Sequence, residues 1–180
     1  MTQTEIEFDE ALESCERIFR LKLEDYGASW RMMRPSSITD QLFIKAKRIR
    51  SLEEKGVSAV GEGILDEFKA IVNYSVVGII QLELGASDHK DITPEEAMVR
   101  YRAIVDRTKA LMLKKNHDYD EAWRGMRVSS YTDLILTKIE RVKEIEDNSG
   151  RTKCSEGISS NYQDMMNYAV FGIIKLTHKE

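Results

Sequence analysis

Arg31, Arg34, Ser36, Ser37, Thr39 and Asp40, followed by Lys45 and Arg48, crowd cations and hydroxyls into one short stretch. Such a set suits an oxyanion. Guanidinium groups grip phosphate or carboxylate in bidentate fashion. The unpaired N–H groups at a helix start, together with the helix dipole, favour a negative charge. The spacing predicts a helix that starts near residue 39, capped by Ser37 or Thr39. Arg31 and Arg34 would stand just ahead of it, with Lys45 and Arg48 on one face about two turns further in. Tyr26 and Trp30 offer rings on which a base can stack. The same residues can equally serve the protein itself. Ser and Asp then cap the helix, the arginines pair with Asp25, Asp40 or Glu62, and Trp30 joins the core.

The phrase occurs twice. "SWRMMRPSSITD" at 29–40 returns as "AWRGMRVSSYTD" at 122–133. Residues 25–53 match 118–146 at 13 of 29 positions, where chance would give about two. Residues 62–82 match 156–176 at 10 of 21, one residue out of the first register. The chain is an internal duplication, with repeats expected at 5–84 and 95–178 and a connecting loop at 85–94. The candidate phosphate and base ligands therefore have a second set: Tyr119, Trp123, Arg124, Arg127, Ser130, Thr132, Lys138 and Arg141. Retention in both copies marks these positions as constrained.

Acids supply a different chemistry. Mg²⁺ takes a few carboxylates together with substrate phosphates. Glu62 and Asp66 are four apart on one predicted helix, and the second repeat has Glu156 with Asp164 as its nearest further acid. Asp66 has become Ser160, and Asp164 stands where the first repeat has Ala70. Solvated acids are the alternative. Asn73-Tyr74 and Asn167-Tyr168 lie within very apolar runs, where a buried amide needs partners. Gly78 and Gly172 predict close helix approach, because glycine otherwise weakens a helix. The three histidines do not repeat, so neither a histidine metal site nor a histidine-activated nucleophile is indicated.

The elements that must position these residues are helices. Phe8, Leu12, Cys15, Phe19 and Leu23 step by three or four, and 94–116 echoes them with Met98, Tyr101, Val105 and Met112. Ile38, Leu42, Ala46, Ile49 and Leu52 predict an amphipathic helix over 38–54, and 131–147 repeats it. The runs 63–84 and 157–177 are apolar nearly all round, which predicts central helices. Gly85 reads as a helix stop, and Thr93-Pro94-Glu95-Glu96 as a capped start. Two prolines and no sustained alternation argue against strands. The expected fold class is all-α: two tandem helical units packed as a pseudo-dimeric bundle.

Composition bounds the partners. The chain has 180 residues and a net charge of −4, a poor basis for general nucleic-acid binding. Its acidic N-terminus and the absence of a long apolar run predict a cytoplasmic protein with no membrane partner. Cys15 and Cys154 form no C-x-x-C and read as reduced thiols. Self-association is left open.

The order D-Y-x-x-x-W-R-x-M-R, S-S-x-T-D, K-x-x-R, E-G-I and N-Y-x-V-x-G-I-I resembles the nucleotide modification associated domain, type 1, in two copies. The resemblance implies a nucleotide-associated role. A more distant likeness is to the MazG-type all-α nucleoside triphosphate pyrophosphohydrolases, helical bundles that hold Mg²⁺ through E-x-x-E and E-x-x-D pairs. Glu13 and Glu16 have the first spacing, in the first repeat only, and no E-x-x-D follows. That likeness implies a Mg²⁺-dependent hydrolysis of a nucleotide to monophosphate and pyrophosphate. The alternative is a non-enzymatic interaction or scaffold protein whose repeated polar residues form a salt-bridge and capping network.

Overall fold

The computed structural model describes residues 1–56, 61–151 and 157–178, with the side chains at 61 and 62 left out. Glu62, Cys154 and Glu156 therefore lie outside the described side chains. The described residues form six α-helices: α1 (Gln3–Tyr26), α2 (Pro35–Lys55), α3 (Gly61–Leu84), α4 (Pro94–Tyr119), α5 (Val128–Asp147) and α6 (Ile158–Thr177). A single 3₁₀ turn precedes α2 (Ser29–Met32) and another precedes α5 (Ala122–Gly125). Among the described residues there is no strand, and no helix is long and apolar enough to cross a membrane.

The two repeats are α1–α3 and α4–α6, and they interlock. α3 packs on α6 at the centre, α2 packs on α5, and α1 and α4 each touch both central helices. The buried stripe of α1 (Thr4, Phe8, Ala11, Cys15, Phe19) falls 93 residues before that of α4 (Ala97, Tyr101, Ile104, Thr108, Met112). One register thus relates the two outer helices. Gly78 and Gly172 set the central crossing: Gly78 faces the Tyr162 ring and Gly172 faces the Phe68 ring. Phe68 and Tyr162 are themselves repeat counterparts, so each repeat inserts an aromatic ring against the other's glycine.

Both outer helices open with a capping box, Thr2 with Glu5 and Thr93 with Glu96. Gly85 has a φ of +75° and its N–H returns to the Gln81 carbonyl, which stops α3. The capping expectation for the repeated phrase is overturned. α2 begins at Pro35, with Arg34 as N-cap and no side-chain cap. α5 begins at Val128 behind Arg127 in the same way. Proline lacks an N–H and has its φ preset, so it starts α2 four residues earlier than the hydroxyl pattern implies. Ser37 and Thr39 are therefore inside the helix.

Candidate functional site

The phrase divides by depth. Arg31 is only 3% exposed. Its Nε and Nη2 donate to the Asp91 carboxylate at 2.7 and 3.0 Å, and its Nη1 donates to Gln81 Oε1 and, at 2.6 Å, to the Gly85 carbonyl. Arg124 Nη1 lies 3.0 Å from Glu7, its Nε 3.1 Å from Glu121, and its Nη2 donates to Thr4 at 2.9 Å. Asp91 precedes α4, while Thr4 and Glu7 open α1. Each phrase arginine therefore clamps the start of the other repeat's outer helix. Of the acids named from sequence, Asp25 and Asp40 are not the partners of Arg31 and Arg124, and Glu62 lies outside the described side chains. Arg34 and Arg127 are exposed N-cap residues.

The hydroxyls also bridge repeats. Thr39 is buried and bonds Tyr162 Oη at 2.7 Å, the Pro35 carbonyl at 3.2 Å and Glu146 at 3.0 Å. Its counterpart Thr132 is buried beside Glu53. Burial pushes both Glu53 and Glu146 above the usual carboxylate range, in Glu146 against the hydrogen bond it draws from Thr39. Ser37 and Ser130 are half-buried on the first turns of α2 and α5.

Tyr26, Trp30, Lys45 and Asp66 line a cavity in the first repeat, and Tyr119, Trp123 and Asp164 line one in the second, while Arg48, Lys138 and Arg141 line neither. The first cavity, about 600 Å³, is walled by Phe19, Tyr26, Trp30 and Tyr74, with Lys22, Lys45, Asp66, Glu67 and Asn73 as polar lining. The second, about 520 Å³, is walled by Tyr119, Trp123, Tyr131 and Tyr168, with Lys115, Asp164 and Asn167. These are repeat counterparts: Tyr26 with Tyr119, Trp30 with Trp123, Lys22 with Lys115, Asn73 with Asn167 and Tyr74 with Tyr168. Burial raises the phenol pKa of both Tyr74 and Tyr168, which line the two cavities. Volumes of this order suit a small molecule.

Each cavity holds a charge cluster at one end. In the first repeat Lys45 and Arg48 reach the buried Glu67, at 3.6 and 2.7 Å. In the second, Lys138 and Lys115 reach Asp164 at 3.1 and 2.8 Å. The acid has moved: Glu67 corresponds to Asn161, and Asp164 to Ala70. The shift is three residues along the final helix, so the carboxylate stays on the face the lysine can reach. Lys138 thus keeps an acid partner while the acid changes position. Arg141 pairs with Glu144 at 3.1 Å.

For Mg²⁺ the described donors fit poorly. Asp66 is exposed on the rim of the first cavity, whereas Asp164 is held between two lysines. Among the described residues no three His, Cys, Asp or Glu side chains converge as a metal set. Glu16 of the E-x-x-E spacing is engaged by Arg102 at 2.7 Å and Arg20 at 3.4 Å.

The sequence pattern did not single out Lys22 with Lys115, which line the two cavities. The lysines were detectable, being identical at the same 93-residue offset just before the aligned block.

Fold and site together define an all-α tandem repeat with one aromatic, cation-ended cavity per copy. The model of the family described as nucleotide modification associated domain 1 matches residues 22–82 and 115–176. The chain belongs to that family, in two tandem copies. No curated protein and no solved structure matches it.

Proposed function

We propose that this protein binds a phosphorylated nucleotide in the cavity of each repeat. The base would stack in the aromatic wall, against Tyr26, Trp30 and Tyr74 in the first copy and Tyr119, Trp123 and Tyr168 in the second. The phosphates would lie toward Lys22, Lys45 and Arg48, or toward Lys115 and Lys138. The observation that carries this reading is the doubled cavity itself, in which three aromatic positions and the Lys22/Lys115 position recur around two separate spaces. Stacking tolerates any base face, and lysine binds phosphate as a point charge. The family's description, associated with nucleotide modification, favours the same ligand class. The enzymatic form of the reading is hydrolysis of a bound triphosphate by water to monophosphate and pyrophosphate.

A second reading has its own observation. The Arg31 and Arg124 clamps and the Thr39–Glu146 bond all join one repeat to the other. In that reading much of the retained phrase is scaffold. Both roles fit in one molecule, since the clamp residues and the cavity residues differ.

A thermal-shift screen of nucleoside mono-, di- and triphosphates, with and without Mg²⁺, tests the proposal. A ligand bound only by the folded chain must raise its melting temperature. A flat response across the panel would refute it, and direct assay of pyrophosphate release separates binder from hydrolase.

A further inference from the structure

The two cavities differ at one buried atom. Asn73 in α3 donates through Nδ2 to the Cys15 carbonyl at 3.0 Å, and its Oδ1 accepts from Tyr101 Oη at 2.7 Å. Its counterpart Asn167 in α6 donates to the Thr108 carbonyl at 3.5 Å, the matching position in α4. Asn167 Oδ1 has no partner among the described residues, although the residue is 5% exposed. The cause is a single substitution between repeats. The position equivalent to Tyr101 is Phe8, which is buried and carries no hydroxyl. A buried acceptor left unmade costs the fold its desolvation, and Asn167 is one of the residues around the second cavity. The first cavity shows the opposite polarity: Trp30 Nε1 is a buried donor without a partner among the described residues, whereas Trp123 Nε1 donates to Glu121 at 3.0 Å.

Resting on the nucleotide reading, we propose that the second cavity selects a base bearing an exocyclic amine, which donates to Asn167 Oδ1. In the first cavity Tyr101 fills the matching amide oxygen, on Asn73, and the Trp30 N–H is offered to a base carbonyl or ring nitrogen. The repeats are therefore two sites of different base preference. An amine at the ring edge can reach a recessed amide oxygen. A carbonyl at the same ring position would turn a lone pair on that oxygen and be rejected.

The test uses pairs in which an exocyclic amine beside a ring-nitrogen acceptor is replaced by a carbonyl beside a ring N–H: CMP with UMP, and AMP with IMP. In W30F, Trp123 is the remaining tryptophan, and its fluorescence reports the second cavity. The amino form of at least one pair should bind there at least about tenfold more tightly than its oxo partner. Adding Phe8→Tyr should supply the missing hydroxyl and erase the preference. Asn167→Leu removes the acceptor without adding volume at Phe8, and should erase it even if the tyrosine is not tolerated. Equal binding within both pairs, or a preference that survives Asn167→Leu, overturns the inference and leaves the nucleotide reading standing. Absence of binding by any nucleotide, in W30F and in the wild type by calorimetry, overturns both.

Discussion

Gly78 lies flat against Tyr162: a Cβ at residue 78 would come within 2.8 Å of the ring, and one at Gly172 within 3.1 Å of Phe68. Tyr162 cannot move aside freely, because its hydroxyl bonds Thr39 in α2. Gly78→Ala should therefore destabilise the protein. Overpacking of a fixed core costs about 1–3 kcal/mol, partly offset by about 1 kcal/mol of helix propensity. Gly172→Ala should cost less, since its contact is longer and Phe68 lacks that hydroxyl anchor. Urea unfolding of the two variants gives the order directly.

Arg31 fastens α3 to the connection before α4, and this fixes what its removal does. Arg31→Ala leaves Gln81 Oε1 and the Gly85 carbonyl without their guanidinium donor and Asp91 without its partner. The buried acceptors alone should cost about 2–3 kcal/mol. Arg31→Lys should recover little, because an ammonium cannot span Asp91, Gln81 and Gly85 at once. Circular dichroism melts should show this loss, with nucleotide affinity changing only as far as the fold loosens. A stable Arg31→Ala protein that loses binding outright would place the residue in the ligand site instead.

The sequence made the duplication, the helices and the central glycines readable because each depends on local periodicity or self-comparison. The Gly78 expectation of close approach held for that reason. Arg31 was not readable in the same way. Its acid, Asp91, lies 60 residues away in a segment with no repeat signature. Capping at Ser37 failed because Pro35, two residues earlier, starts the helix more strongly than a hydroxyl does. The loss of Asp66 to Ser160 and the new acid at Asp164 looked like divergence of a metal site, but the acid that Asp164 replaces is Glu67. In three dimensions that replacement keeps a lysine paired, which only the helix faces reveal.

Glu53 and Glu146 set a pH dependence. Both carboxyls are held above their ordinary value of 4.5, chiefly by burial. Glu146 also faces Asp40, Asp147 and Lys143, and Glu53 faces Asp133, Glu54 and Arg50. A raised acid binds its proton more tightly when folded, so the fold loses stability as pH rises from the unfolded value through the folded one. Above that window the ionised, half-buried carboxylate is a standing cost. Glu146→Gln and Glu53→Gln should raise the melting temperature relative to wild type at pH 7. The difference should vanish near pH 4, where the wild-type carboxyls are protonated. A gain of equal size at both pH values would show that charge is not the cause.

Glu67 competes with any phosphate that enters the first cavity. It is buried and draws both Lys45 and Arg48, at 3.6 and 2.7 Å. An incoming phosphate must share those cations or displace the carboxylate, and the like charges repel each other. Glu67→Gln keeps the shape and removes the charge. It should lower the fold's stability by about 1–3 kcal/mol, because the buried partners lose their ion pair. At the same time it should tighten nucleotide binding in that cavity by roughly tenfold, since about 1.4 kcal/mol of repulsion corresponds to that factor. Opposite signs in the two measurements, unfolding by urea and binding by calorimetry, are the expected signature. Adding Ala70→Asp to Glu67→Asn would copy the second repeat's arrangement into the first. That double variant should regain stability and lose the extra affinity, because Lys45 again has an acid on the facing turn, as Lys138 has in Asp164.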